Sequence, residues 1–169
     1  TINPANHFAY GANIGWIDWR GDVASGAVIG EYVCSGFIYA ANVGWINCGN
    51  GAPTNGVQYA NDTAADFGVN HTGTGNLYGL AWAPNIGWIN FGWWMLEPSN
   101  TNRPCVNLVT GEFAGYAWSA NCGWISLSNA QAHVQTDTMD CGPDSDGDGI
   151  PDMWELQFAA NLGALNGAG

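Results

Sequence analysis

Four copies of one short phrase constrain this chain more than any other feature. It runs from Tyr10 through Asn13 and Gly15 to Trp16-Ile17, and from Tyr39 through Asn42 and Gly44 to Trp45-Ile46. It returns from Trp82 through Asn85 and Gly87 to Trp88-Ile89, and from Trp118 through Asn121 and Gly123 to Trp124-Ile125. An aromatic residue, two small ones, Asn, one variable residue, Gly and then Trp-Ile spell a β-hairpin. The aromatic closes one strand, Asn and Gly supply the turn, and Trp-Ile opens the returning strand. Asn and Gly both tolerate positive φ, and Asn can bond its own turn backbone. A hairpin repeated in this way specifies an all-β fold. The copies are unevenly spaced, which disfavours a solenoid of fixed period. The expectation is therefore repeated hairpins in a barrel-like or sandwich domain, with Trp16, Trp45, Trp88 and Trp124 as hairpin core.

The intervening segments extend the pattern. Residues 27–39 are rich in β-branched and aromatic types and read as strand, interrupted at Gly30 and Gly36. Val69-Asn70-His71 before the third hairpin matches Val106-Asn107-Leu108 before the fourth, so each late unit should carry three strands, with His71 in the slot of Leu108. Residues 49–66 form the longest irregular connection, a length that marks a functional or mobile loop. Residues 130–137 suit a last strand or a short helix. Two regions result: a hairpin-repeat domain over 1–135 and an appendage over 136–169.

Charge narrows the partners. The chain is 169 residues long with a formal net charge of −12, no Lys, and only Arg20 and Arg103 as permanent cations. Phosphate backbones and anionic membranes need basic residues that are missing here, whereas divalent cations suit such a balance. No apolar run reaches the roughly 20 residues of a transmembrane helix. The chain opens on Thr1 rather than Met, as it would after removal of an export signal, which predicts a secreted or outer cell-surface protein with possible surface association. Cysteine usage agrees with export: Cys34 and Cys48 bracket the second hairpin at a separation a disulfide could span, while Cys105, Cys122 and Cys141 allow one further bridge. The alternative is a set of buried free thiols.

The sharpest motif lies near the carboxyl end, from Asp144 to Glu155. It fits the twelve-residue calcium loop: carboxylates from Asp144, Asp146 and Asp148, a turn at Gly149, the Ile150 carbonyl, Asp152 directly or through water, and both oxygens of Glu155. Pro143 argues against an entering helix. A short exit helix from Asp152 would place Trp154, Phe158, Leu162 and Leu165 on one face. This loop resembles the single calcium loops of dockerin modules and thrombospondin type 3 repeats, in which the ion is structural.

Nothing singles out a catalytic group. There is no Lys, no Gly-x-Ser-x-Gly elbow, and no pair stands out among Glu31, Asp62, Asp66, Glu97 and Glu112. The expectation is a protein without enzymatic activity. The three histidines, His7, His71 and His133, have no local metal-ligand spacing. The whole composition, acidic, Lys-free and Trp-rich with Asn-x-Gly-Trp-Ile hairpins over about residues 1–135, resembles the MopE and CorA family of surface copper-binding proteins of methane-oxidising bacteria. That resemblance implies one copper(I) held by two histidines and a kynurenine made from tryptophan, for copper acquisition or storage. Here the ligands would come from His71, His133 and His7, with Trp93 or Trp94 as the modified residue. Two other readings stand beside it: a non-catalytic, calcium-stabilised surface or adhesion module, and a carbohydrate-binding module using Trp93 and Trp94.

Overall fold

Each copy of the repeat does form a hairpin, and the hairpins close on one another. The computed structural model describes residues 1–22, 26–140, 146–148 and 155. In chain order its strands are β1 (Ile2–Gly11), β2 (Gly15–Asp18), β3 (Ala27–Ile29), β4 (Cys34–Ala40), β5 (Gly44–Asn50), β6 (Val69–His71), β7 (Leu77–Ala83), β8 (Gly87–Asn90), β9 (Cys105–Val106), β10 (Phe113–Ala114), β11 (Tyr116–Ser119), β12 (Gly123–Ser126) and β13 (Val134–Thr136). The four hairpins β1–β2, β4–β5, β7–β8 and β11–β12 follow one another around a ring, and β12 pairs back onto β1. The result is an eight-stranded antiparallel barrel with pseudo-fourfold symmetry. Of the two expected architectures, the structure adopts the barrel. No helix among the described residues is long and apolar enough to cross a membrane.

Strand alternation decides the interior. Ala9 faces Ile17, Ile38 faces Ile46, Ala81 faces Ile89 and Ala117 faces Ile125, and all eight are buried. Gly11, Ala40, Ala83 and Ser119 add a tier of small buried residues towards the turns, and Trp19, Cys48, Phe91 and Leu127 close the other end. Small residues are required there, because an eight-stranded barrel has room only for its own side chains. The opposite parity turns outward. Tyr10 with Trp16, Tyr39 with Trp45, Trp82 with Trp88 and Trp118 with Trp124 are cross-strand pairs on the barrel wall. The four tryptophans expected in the core are instead 41–51% exposed. Among the described residues the buried tryptophan is Trp19, packed edge-on to Phe91 and against Phe113 at a centroid separation of 5.2 Å.

The turns are tied together by their asparagines. Asn42 Nδ2 donates to the Ile14 carbonyl, Asn85 to Val43, Asn121 to Ile86 and Asn13 to Cys122, at 2.7–3.1 Å, so each turn is bonded to the one before it and the cycle closes. Only the glycines of the phrase take positive φ, from 74° to 91° at Gly15, Gly44, Gly87 and Gly123. A Cβ at these positions would sit in ordinary contact with the Asn Nδ2 of the next turn, at 3.4–3.8 Å, so it is the backbone conformation that requires glycine.

All four units, not only the late ones, have three strands. β3 pairs with β4 and β6 with β7 beside the second and third hairpins, β9 pairs with β10, the short strand that leads through Gly115 into β11 of the fourth, and β13, from the far end of the chain, flanks the first by pairing with β1. Residues 130–137 thus contribute a strand, and that strand crosses the expected boundary at 135. Register also corrects one alignment. His71 lies opposite Leu77, Ile29 opposite Cys34 and Val106 opposite Phe113, so the counterpart of His71 is Val106 rather than Leu108. The 49–66 connection is ordered around two buried groups: Tyr59, whose hydroxyl donates to the Cys34 carbonyl, and Asp66, whose carboxylate accepts from the Thr54 and Ala60 N–H groups.

The expected Cys34–Cys48 bridge is not formed: Cys34, Cys48, Cys105 and Cys122 are free. Both Cys34 and Cys48 point into the barrel, but the β4–β5 register shifts between Ser35 and Phe37, so the two cysteines are not cross-strand partners. Burial pushes the Cys34 thiol up to about 12 and raises that of Cys48 further, with the nearby Cys34 adding to the effect.

Candidate functional site

Three places in the molecule gather chemically useful groups. The first is an open cleft of about 630 Å³ on the wall of the fourth unit, lined by Trp93, Leu96, Glu97, Asn100, Asn102, Tyr116 and Trp124. It exists because the segment after β8 leaves the repeat and forms a single-turn 3₁₀ helix, Trp93–Leu96. That turn lays Trp93 edge-to-face on Trp124 at 5.0 Å, and the Trp93 Nε1–H donates to the Tyr116 carbonyl. Tyr116 and Trp124 form the barrel-side wall, their rings 6.4 Å apart. The Glu97 carboxylate accepts from Asn100 Nδ2, so the rim carries amides and one carboxylate. Apolar, concave walls with a few convergent polar groups are the usual make-up of a small-molecule site.

Of the two tryptophans expected to form a sugar platform, Trp93 lines this cleft and Trp94 does not. Trp94 props the loop from behind: its Nε1–H donates to the Leu77 carbonyl and Arg103 lies 5.7 Å over its ring. Arg103 also donates to Asn76 Oδ1 and to the carbonyls of Pro98 and Asn100. Tyr116, Trp124, Glu97, Asn100 and Asn102 carried no functional signal in the sequence. Trp124 and Tyr116 were hidden by belonging to the repeat hairpin, and Glu97, Asn100 and Asn102 by lying in or beside a turn-rich link.

The second place is the acidic loop. Carboxylate oxygens of Asp146, Asp148 and Glu155 lie within 4.8 Å of one another. The Asp148 N–H donates to Asp146 Oδ1, and Glu155, in helical conformation, is fully buried. Three like charges this close favour a hard cation among them. Asp144, Ile150 and Asp152, the remaining expected ligands, lie outside the described residues, as do Cys141 and the other residues of the expected exit helix.

The third is the set of histidines, which are held in three different settings. His7 Nδ1 bonds Asp18 Oδ1 at 2.7 Å. His133 Nε2 lies 3.9 Å from Glu112 Oε1. His71 is fully buried, its Nε2 accepting from the Gly75 N–H at 2.9 Å, which puts the ring proton on Nδ1. That Nδ1 makes no hydrogen bond of good geometry. Desolvation lowers the affinity of His71 for a second proton, opposed weakly by the carbonyls of Glu31 and Gly30. Among the described residues, no group of three or more His, Cys, Asp or Glu donors includes a histidine. Trp93 and Trp94, the expected modified ligands, have their indole N–H groups on main-chain carbonyls.

No protein family, curated protein or solved structure matches the chain.

Proposed function

We propose that this protein is a non-catalytic carbohydrate-binding module of the extracellular face, stabilised by calcium in its carboxyl-terminal loop. The observation that carries the reading is the cleft: an aromatic floor and wall from Trp93, Trp124 and Tyr116 beside a rim of Glu97, Asn100 and Asn102. A pyranose ring has the matching form, with an apolar C–H face to lie on an aromatic ring and hydroxyls at its edge to meet amides and a carboxylate. Calcium is supported by the twelve-residue spacing together with the convergence of Asp146, Asp148 and Glu155. Copper gains less support, since it needs two imidazoles on one ion and the three histidines occupy separate settings.

The test is affinity electrophoresis of the whole chain through gels containing neutral glucan, mannan, xylan or galactan. Calorimetry then follows with a trisaccharide from any polymer that retards it. Retardation by at least one polymer is expected, with trisaccharide binding weakened at least tenfold by Trp124→Ala. Migration unchanged by every polymer overturns the reading.

A further inference from the structure

The cleft uses a surface that the fold has made more than once. In the fourth unit Tyr116, Trp118 and Trp124 stand together on the outer wall. By repeat position the first unit offers Phe8, Tyr10 and Trp16, and the second offers Phe37, Tyr39 and Trp45. The diagonal pair of each set has the same geometry. Phe8 meets Trp16 edge-on at 6.2 Å and Phe37 meets Trp45 at 6.4 Å, as Tyr116 meets Trp124 at 6.4 Å. Tyr10–Trp16 and Tyr39–Trp45 are edge-on at 4.9 and 5.0 Å. In the third unit Leu80 replaces the first aromatic, and Phe67 fills the place by packing on Trp88 at 5.2 Å. The fourth unit seats the ring of Trp93 on Trp124. The first two units have no such insertion, and Tyr10, Trp16, Phe37, Tyr39 and Trp45 are 38–47% exposed.

Polar groups punctuate this belt at fixed intervals. The residue two beyond each repeat tryptophan is Asp18, Asn47, Asn90 or Ser126. Inter-hairpin register sets each of these opposite the aromatic of the next unit: Asp18 opposite Tyr39, Asn47 opposite Trp82, Asn90 opposite Trp118 and Ser126 opposite Tyr10. Around the barrel the wall therefore reads aromatic pair, polar group, aromatic pair. A lipid surface or an aliphatic protein patch has no use for that alternation. A chain of sugar rings does, since each ring offers an apolar face flanked by hydroxyls.

We infer that the outer faces of the first two hairpins, centred on Trp16 and Trp45 with Asp18 and Asn47 between and beside them, form a second binding surface for an extended, uncharged glycan. The inference rests on the carbohydrate reading of the cleft. The ligand is uncharged because the chain has a net charge of −12 and both of its arginines are engaged internally, Arg20 on the Ile2 carbonyl and Arg103 in the cleft loop. An anionic polysaccharide would find no free arginine or lysine on the belt to meet it. The belt and the cleft lie on one rigid barrel, so a long glycan that engages both gains from effective concentration, while a short one fills only the cleft.

The experiment compares wild type, Trp124→Ala, the double variant Trp16→Ala/Trp45→Ala and its conservative counterpart Trp16→Tyr/Trp45→Tyr, each checked for an unchanged melting temperature. The probe is the neutral polysaccharide that retards the wild type, alongside its trisaccharide. The double alanine variant should lose at least tenfold in apparent affinity for the polymer and keep its trisaccharide affinity, and the double tyrosine variant should retain most of both. Polymer affinity unchanged in the double alanine variant overturns the belt while leaving the cleft reading intact. No polymer binding by the wild type overturns the cleft reading and the belt with it. If the double alanine change instead abolishes self-association in sedimentation, or binding to neutral phosphatidylcholine vesicles, with polymer binding unchanged, the belt serves a protein or lipid partner and the inference is wrong.

Discussion

The asparagine of each turn joins two hairpins rather than shaping one. In sequence, Asn beside Gly reads as turn chemistry, and the turns are indeed there. Yet none of the four asparagines takes positive φ, and each spends its amide on a carbonyl of the preceding turn. A donor role and a turn-forming role separate cleanly in one substitution. Asn85→Asp keeps the turn preference but has no N–H to offer Val43, and it sets a carboxylate against a carbonyl. A loss of about 1–2 kcal/mol is expected in chemical denaturation, at least matching the loss from Asn85→Ala. Wild-type stability in the aspartate variant would show that the ring of amides contributes nothing. Such a contact is invisible in sequence because its two ends are 42 residues apart in the chain.

At the scale of the strand, the hairpins were legible and their orientation was not. Trp-Ile places two apolar residues side by side, and strand alternation sends them to opposite faces. Hydrophobicity alone cannot say which goes inside, and bulk suggested the tryptophan. The signal that decides lies on the partner strand. Gly11, Ala40, Ala83 and Ser119 share the parity of the isoleucines, and only a narrow interior needs such small residues. The consequence is measurable. Trp19→Ala should cost about 3–5 kcal/mol, because it empties the floor of the barrel between Phe91 and Phe113. Trp45→Ala, on the wall, should cost less than about 1 kcal/mol. Equal losses from the two substitutions would contradict the inward and outward assignment. The cysteines failed for a related reason: two residues can bracket a hairpin and still miss each other when the register shifts between them.

Over the whole molecule, closure comes from two distant pairings. β12 returns to β1 to complete the ring, and β13 supplies the outer strand of the first unit, so the two ends of the described barrel hold each other. The sequence announced the four-part repeat but not this exchange, because β13 has no phrase of its own. The same three-strand equivalence makes His71 the odd member of its position, where Ile29 and Val106 stand in the neighbouring units. Its folded-state proton affinity is depressed by burial, so the unfolded chain binds the additional proton more readily. Stability that is fully present above pH of about 6.5 should therefore decline as pH falls below that value. His71→Val, which installs the residue that Val106 supplies in the fourth unit, should cost about 1 kcal/mol at pH 7 through the lost Gly75 hydrogen bond. The gap between variant and wild type should then narrow on acidification. A gap that stays constant from pH 7.5 to pH 5 would remove His71 from the acid response.

The proposed calcium site belongs to the same scale, because the segment that leads into the acidic loop is bonded to the barrel at Asp140. The Glu31 N–H donates to the Asp140 carbonyl and the Asp140 N–H to the Ile29 carbonyl, just before the loop begins. The ring of eight strands is complete without any residue beyond β13. Removing the ion should thus loosen the appendage while sparing the barrel. With chelator present, the main melting transition should move by no more than about 4 °C, and limited proteolysis should cut sooner after Asp140 than it does with calcium. Glu155→Gln should reproduce the chelated pattern in the presence of calcium, since it removes the charge of the buried carboxylate that meets Asp146 and Asp148. A barrel that unfolds outright on chelation would mean that the ion closes the fold itself, and that the junction at Asp140 transmits its binding energy into β3.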